Sequence, residues 1–291
     1  MSARQLRFRD KEMPSDRPLV MGIVNRTRDS FFDRGRTFAA DAALAAVDRA
    51  VADGADIVDI GGVRAGAQGE RVDAADEAAR VVPFVTAVRE RHPNLVISVD
   101  TWRHEVAAQV CEAGADLLND TWAGADPKLA EVAAEHRVGV VCSHTGGLAP
   151  RTDAYRPRYA DVVAEVTAEL VERAERMVAL GVPAEGVLID PTHDFGKNTW
   201  HGLALLRRAG ELVDTGWPVL MALSNKDFVG ETLGTEVTER LEGTLAATAV
   251  AAWQGARVFR AHQVRETRRV VDMVATISGT RQPDQVLRGL A

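Results

Sequence analysis

Eight times along this 291-residue chain a short apolar run stops on a polar residue, and a helix-length segment separates each run from the next. The first run, residues 19–24, ends at Asn25 and feeds a charged, aromatic loop that continues to Gly35. The second, 57–60, contains Asp59 and leads into a loop at 61–71. The later runs end at Asp100, Asn119-Asp120, Ser143-His144, Asp190, Ser224-Asn225-Lys226 and Arg260-Ala261-His262. Runs this short and continuous suit strands buried on both faces, the condition of a parallel sheet covered by helices.

The intervening segments read as helices. Residues 41–53 put Ala42, Leu44, Ala45, Val47 and Val51 on one stripe, and Gly54 follows at a C-cap position. Further helices are predicted at 74–91, at 103–113 before Gly114, after Pro127, at 161–180 before Gly181, and at 202–213, 240–254 and 267–277. Helix, Gly-Ala and short strand recur at residues 54–55, 114–115 and 255–256. Eight strands alternating with eight helices and no linker predict one (β/α)8 barrel of the TIM type over residues 19–291, with 1–18 as a lead-in. A doubly wound open sheet would usually carry a glycine-rich turn after its first strand, and Asn25-Arg26-Thr27-Arg28 is not one.

Composition narrows the function. Hydrophobic residues make up 46% and charged residues 26%, enough for a sizeable core. A net charge of −7 argues against a nucleic-acid or anionic-membrane partner. Cys111 and Cys142 have no metal-ligand spacing around them and read as small core residues in a reducing compartment. The polar N-terminus shows no signal peptide and no run is long enough to span a bilayer, so a cytoplasmic protein is expected.

In a parallel barrel all the strand ends open into one mouth. Asp100, Asn119, Asp190 and Lys226 can together hold a flat, polar heterocycle: carboxylates accept from ring N–H and amino groups, asparagine offers one donor and one acceptor, and lysine donates. Asn25, Arg260 and His262 come from the first and last strands, neighbours in a closed barrel, and suit a phosphate or pyrophosphate. Taken singly, Arg260 reads equally well as a rim salt bridge and His262 as a loop histidine.

These motifs resemble dihydropteroate synthase. Met21-Gly22-Ile23-Val24-Asn25, Asp59-Ile60-Gly61-Gly62, Ser98-Val99-Asp100-Thr101, Asn119-Asp120, Asp190-Pro191 with Phe195-Gly196-Lys197, Ser224 with Lys226, and Arg260 with His262 keep the family's order from about Leu19 to the end. The resemblance implies transfer of a hydroxymethyl-dihydropterin from its pyrophosphate to p-aminobenzoate. Pyrophosphate leaves with help from Mg²⁺, a pterin cation forms, and the aniline nitrogen attacks it. It implies that Asp100, Asn119, Asp190 and Lys226 hold the pterin. Asn25, Arg64, Arg260 and His262 would hold the pyrophosphate, with Asn25 on Mg²⁺. Asp33 would stabilise the cation, with Lys226 as the other catalytic residue, and Phe31 and Phe195 would line the aminobenzoate pocket. It also implies a homodimer through the late helices, where Gly243, Ala246, Ala247, Ala249 and Ala252 are small.

The departures are concentrated in the loops. Where the family's first loop reads Asn-Val-Thr-Pro-Asp-Ser-Phe-Ser-Asp-Gly-Gly, this chain has Arg26, Arg28, Phe32 and Arg34 at four of the places. Its second loop, Val63-Arg64-Ala65-Gly66, is shorter and lacks the family's Ser-Thr pair and proline. Asp-Pro-Gly-Ile-Gly becomes Asp190-Pro191-Thr192-His193-Asp194, and Ser-Arg-Lys-Ser becomes Ser224-Asn225-Lys226-Asp227. The family holds the aminobenzoate carboxylate near that last turn, so Asp227 is expected to put a like charge against it. The chain is thus similar to a diverged second paralogue of the kind that accompanies a true synthase in some actinobacteria, with dihydropteroate formation weak or absent. The alternatives are a pseudoenzyme that binds a pterin or phosphorylated ligand, and a barrel transferase diverted to another substrate.

Overall fold

The computed structural model describes residues 4–27, 39–64, 66 and 70–289. Its eight parallel strands are β3 (Leu19–Asn25), β4 (Ile57–Gly61), β5 (Val96–Asp100), β6 (Leu117–Asp120), β7 (Gly139–Ser143), β8 (Val187–Asp190), β9 (Leu220–Met221) and β10 (Val258–Ala261). Hydrogen bonding runs in the order β8-β7-β6-β5-β4-β3-β10-β9. The two ends meet through a parallel bridge between Ile189 and Val219, which closes the sheet into the predicted barrel.

Helices wrap the outside: α1 (Ala40–Ala52), α2 (Ala74–Arg91), α3 (His104–Glu112), α4 (Leu129–His136), α5 (Val162–Ala179), α6 (Thr199–Arg207), α7 (Ala209–Val213), α8 (Asp227–Leu233), α9 (Leu241–Trp253) and α10 (Val264–Ile277). Local chemistry explains the starts. Asp73 caps α2 by accepting from the Asp76 N–H at 2.8 Å, and Asp161 caps α5 through the N–H groups of Val163 and Ala164. Asn198 and His201 form a reciprocal capping box at α6. The segment expected as one helix at 202–213 is two, because Arg208 leaves helical geometry (φ −114°, ψ 25°). Helix α8 was not expected, and it takes its cap from a distant loop.

The lead-in is more structured than its sequence suggests. Arg7–Phe8 (β1) and Lys11–Glu12 (β2) form a short antiparallel hairpin. Leu6, Phe8 and Met13 are buried and join the inward-facing side chains Leu19, Met21, Ile57 and Leu117 in one cluster. Each contributes about 1.5–3 kcal/mol when fully buried, which is what holds two-residue strands in place. A second cluster packs the outer faces of the strands against the helices, with Val58, Ile60, Ile97, Val99 and Ile189 on the strand side. Cys111 and Cys142 are free and buried, as expected of core residues. Among the described residues no helix is long and apolar enough to cross a membrane.

Candidate functional site

The strand ends bring Asp59, Asp100, Asn119 and Arg260 into one hydrogen-bonded cluster, and the Asp190 charge acts on Arg260. Asp59 is fully buried, and its carboxylate accepts from Ser98 Oγ at 2.6 Å, Asn119 Nδ2 at 3.1 Å and Arg260 Nε at 2.6 Å. Arg260 reaches on to Asp100 Oδ2 at 3.1 Å, and Thr121 Oγ1 donates to Asp100 Oδ1 at 2.8 Å. Strand register explains the grouping: Gly61 pairs with both Asn25 and Asp100, and Asp100 with Asn119.

Burial pushes the Asp100 carboxyl up to about 7, and Arg260 acts against it. Burial likewise raises Asp190, with Lys226 opposing. For Arg260 burial works against the charge, but Asp59 and Asp100 outweigh it and its pKa is raised. The guanidinium is therefore turned inward as the counter-ion of two aspartates, in addition to any ligand at the mouth. His262, on the same strand end, is pushed down to about 3 by burial first and Arg260 second, so at neutral pH it is an uncharged donor and acceptor, not a second cation. Its backbone N–H donates to Ser224 Oγ at 3.2 Å.

The loop after β8 forms the opposite wall. Asp190 Oδ1 accepts from the Thr192 N–H at 2.7 Å, and Thr192 Oγ1 accepts from the His144 N–H at 3.2 Å. Lys197 Nζ donates to the carbonyls of His144 at 2.9 Å, Phe195 at 2.8 Å and Thr192 at 3.3 Å, and lies 2.9 Å from His144 Nδ1. Phe195 meets Trp122 edge-on at 5.2 Å, Trp122 meets Trp102 at 6.5 Å, and Lys226 Nζ lies 5.0 Å from the Phe195 ring centre. Lys226 donates to the His193 carbonyl, and burial lowers its pKa. Gly196 cannot be replaced here, because φ is 63° and a Cβ would fall 2.1 Å from the Thr145 carbonyl oxygen.

Asp227 takes a different place from the one expected. Its side chain is 78% exposed and pairs with Arg240 at 2.8 Å, because it sits on the outer side of the first turn of α8. The carboxylate at that turn is Asp194, which accepts from the N–H groups of Asp227 at 2.7 Å and Phe228 at 3.3 Å. In the sequence Asp194 stands out only as a replacement of the family's glycine. Trp102, Trp122 and Lys197 are not singled out as site residues by the sequence, although each lies two to seven residues beyond a strand end. Arg64 is half-buried in the loop after β4, where Arg151 reaches across to the Gly66 and Glu70 carbonyls at 3.3 and 2.7 Å. Phe31 and Asp33 lie outside the described residues.

Two other features lie outside this cluster. A cavity of about 300 Å³ opens between α4 and α5, behind Asp120 and beside Glu169 and Arg173. His104, Glu105 and Asp126 bring three metal-type ligand atoms within 4.8 Å, but His104 Nδ1 is already hydrogen-bonded to Asp126 at 2.7 Å.

Comparison with known proteins follows the same lines. Residues 21–262 match the family model described as pterin binding enzyme. The chain is 60% identical over 285 residues to the Mycobacterium leprae protein named inactive dihydropteroate synthase 2, covering 97% of this chain and 98% of that one. It is 37% identical over 262 residues to dihydropteroate synthase of Escherichia coli, covering 90% and 92%. The Yersinia pestis dihydropteroate synthase in complex with a sulfonamide drug superposes with a TM-score of 0.88 at 34% identity, over 95% of this chain and all of that one.

Proposed function

This chain belongs to the pterin-binding enzyme family, and on that premise we propose that it keeps a pterin site while forming dihydropteroate weakly or not at all. One observation carries the first half. Asp100, Asn119, Asp190 and Lys226 stand at four strand ends of one mouth, with Arg260 balancing the buried carboxylates. A pterin presents donors and acceptors along one edge, which Asp100, Asn119 and Asp190 suit in type. The second half is supported by the relative named inactive and by the replaced residues around the loops after β8 and β9.

Asn25 is the residue proposed to meet Mg²⁺. It offers one carboxamide oxygen, and the neighbouring Asp59 and Asp100 carboxylates are engaged by Arg260. That donor set fits an ion that arrives with pyrophosphate oxygens and water as its other ligands, better than an ion held by protein alone. When bound, Mg²⁺ would offset the charge of the leaving pyrophosphate. Arg64 and His262 are proposed to face the same anion, His262 as a neutral donor.

A homodimer is proposed through α9 and α10, which pack side by side and expose Val250 and Trp253 on one helix and Met273 and Ile277 on the other. Gly243 is spent inside the protomer, where Val229 and Leu233 of α8 close over it.

The experiment is a fluorescence titration with 6-hydroxymethylpterin and its pyrophosphate. Saturable binding is expected, weakened about 10–100-fold in Asp190→Ala, the size of a lost hydrogen bond to a charged group. Absence of pterin binding by the wild type would remove the reading.

A further inference from the structure

Lys226 faces a carboxylate that the pterin set does not use. Asp194 is mostly covered, accepts from the N–H groups of Asp227 and Phe228, and its charge acts on the Lys226 ammonium. The charged groups bearing on Lys226 include Asp194, Asp190, Arg260, Asp227 and Lys197, and Asp227 is paired with Arg240. Burial pushes the Asp194 pKa up, and Lys226 with the two N–H groups works against that rise.

The backbone also singles out this position. Thr192 and Asp194 adopt left-handed φ values of 51° and 71°, in the same loop as Gly196 at 63°. Aspartate tolerates this region better than most residues, but the conformation remains one that glycine adopts at less cost. A charged side chain held there, against a lysine in the mouth, is an observed outlier at a functional position.

We infer that Asp194 sets the charge of the second substrate, so that the mouth takes a neutral aromatic amine and turns away one that carries a carboxylate. This rests on the pterin site proposed above. Lys226 already has Asp194 and Asp190 as counter-charges, so it has little attraction left for an incoming anion. The two N–H groups that could receive a carboxylate are filled. An anionic ring arriving beside Phe195 meets the Asp194 charge, whereas a neutral one meets only the aromatic edge and the lysine stem.

The test uses the full chain saturated with pterin pyrophosphate, and calorimetric titration with p-aminobenzoate and its neutral analogue p-aminobenzamide. The wild type is expected to bind the amide at least about tenfold more tightly than the acid, as a screened like-charge contact demands. Asp194→Asn keeps one acceptor oxygen at the two N–H groups and removes the charge. It should improve p-aminobenzoate binding about tenfold and leave the amide unchanged. Asp194→Gly, which suits the left-handed backbone, should act in the same direction. The inference is overturned if the wild type prefers the acid or does not discriminate, if both variants keep the wild-type ratio, or if no protein binds either amine. Pterin binding is measured in the same samples: its loss in the wild type removes the proposed function, whereas an unchanged ratio with pterin bound removes this inference alone.

Discussion

Arg260 donates from Nε to Asp59 Oδ2 at 2.6 Å, joining the last strand of the barrel to the second at the floor of its mouth. The same guanidinium reaches Asp100 at 3.1 Å, so one cation serves two covered carboxylates. Arg260→Ala strands both. Removing one partner of a buried ion pair costs about 3–5 kcal/mol, because the remaining charge is left uncompensated. A fall in Tm of about 10 °C or more is expected, together with loss of pterin binding. A variant as stable as the wild type would contradict this role for the residue.

Asp227→Ser, the substitution that restores the family's residue, is expected to change little. A pair in which one partner is as exposed as Asp227 contributes at most about 1 kcal/mol, and that carboxylate is taken up by Arg240. Thermal melts and p-aminobenzoate titration should both stay close to the wild type. A gain in p-aminobenzoate binding as large as that from Asp194→Asn would reverse the roles assigned to the two aspartates.

Lys197 ties the loop after β8 to the end of β7, and burial pushes its ammonium down to about 7. Lys197→Met leaves the His144 and Phe195 carbonyls without this donor, at a cost of about 1–3 kcal/mol. Amide exchange at residues 192–198 should accelerate. The pH dependence has a definite sign. Between about 7 and the ordinary lysine value the unfolded chain binds the extra proton, so the Lys197 contribution to stability rises with pH across that window. Urea unfolding of wild type and variant at pH 7 and pH 9.5 reads it directly; a difference that shrinks with pH would contradict the burial of this group.

Trp253 is 62% exposed in the single chain. In the proposed dimer it is covered by the partner's late helices. Sedimentation should give twice the 31.4 kDa chain mass for the wild type and the single mass for Trp253→Glu. A wild type that sediments as a monomer at micromolar concentration would remove the dimer.

How much of this could be read beforehand depends on what kind of constraint a residue obeys. The eight strands were legible because each is a short, mostly apolar run, and α2 was expected at 74–91, its observed bounds, where Asp73 caps it and Ala78, Val81, Val85 and Val88 face the core. The hairpin at Arg7–Phe8 and Lys11–Glu12 was not, since two-residue strands have no period and are held by the burial of Leu6, Phe8 and Met13. The strand-end residues were legible because parallel strands share one open end. Their directions were not. Arg260 turns inward to meet Asp59, Asp227 turns outward to meet Arg240, and Asp194 becomes a helix cap only once the loops after β8 and β9 lie side by side. Asp194 carried a signal all the same: a carboxylate at a place where the family has glycine.

The most direct measurement is the steady-state rate of dihydropteroate formation by the purified wild type, with saturating hydroxymethyl-dihydropterin pyrophosphate, p-aminobenzoate and Mg²⁺, beside the Escherichia coli synthase in the same assay. The proposed loss of the carboxylate subsite would cost positioning, which alone lowers rates by about a hundredfold. The expected rate is therefore at least about a hundredfold below the Escherichia coli enzyme, with pterin binding intact. Turnover comparable to that enzyme would contradict the central claim that this barrel has kept its pterin site and given up the family's second substrate.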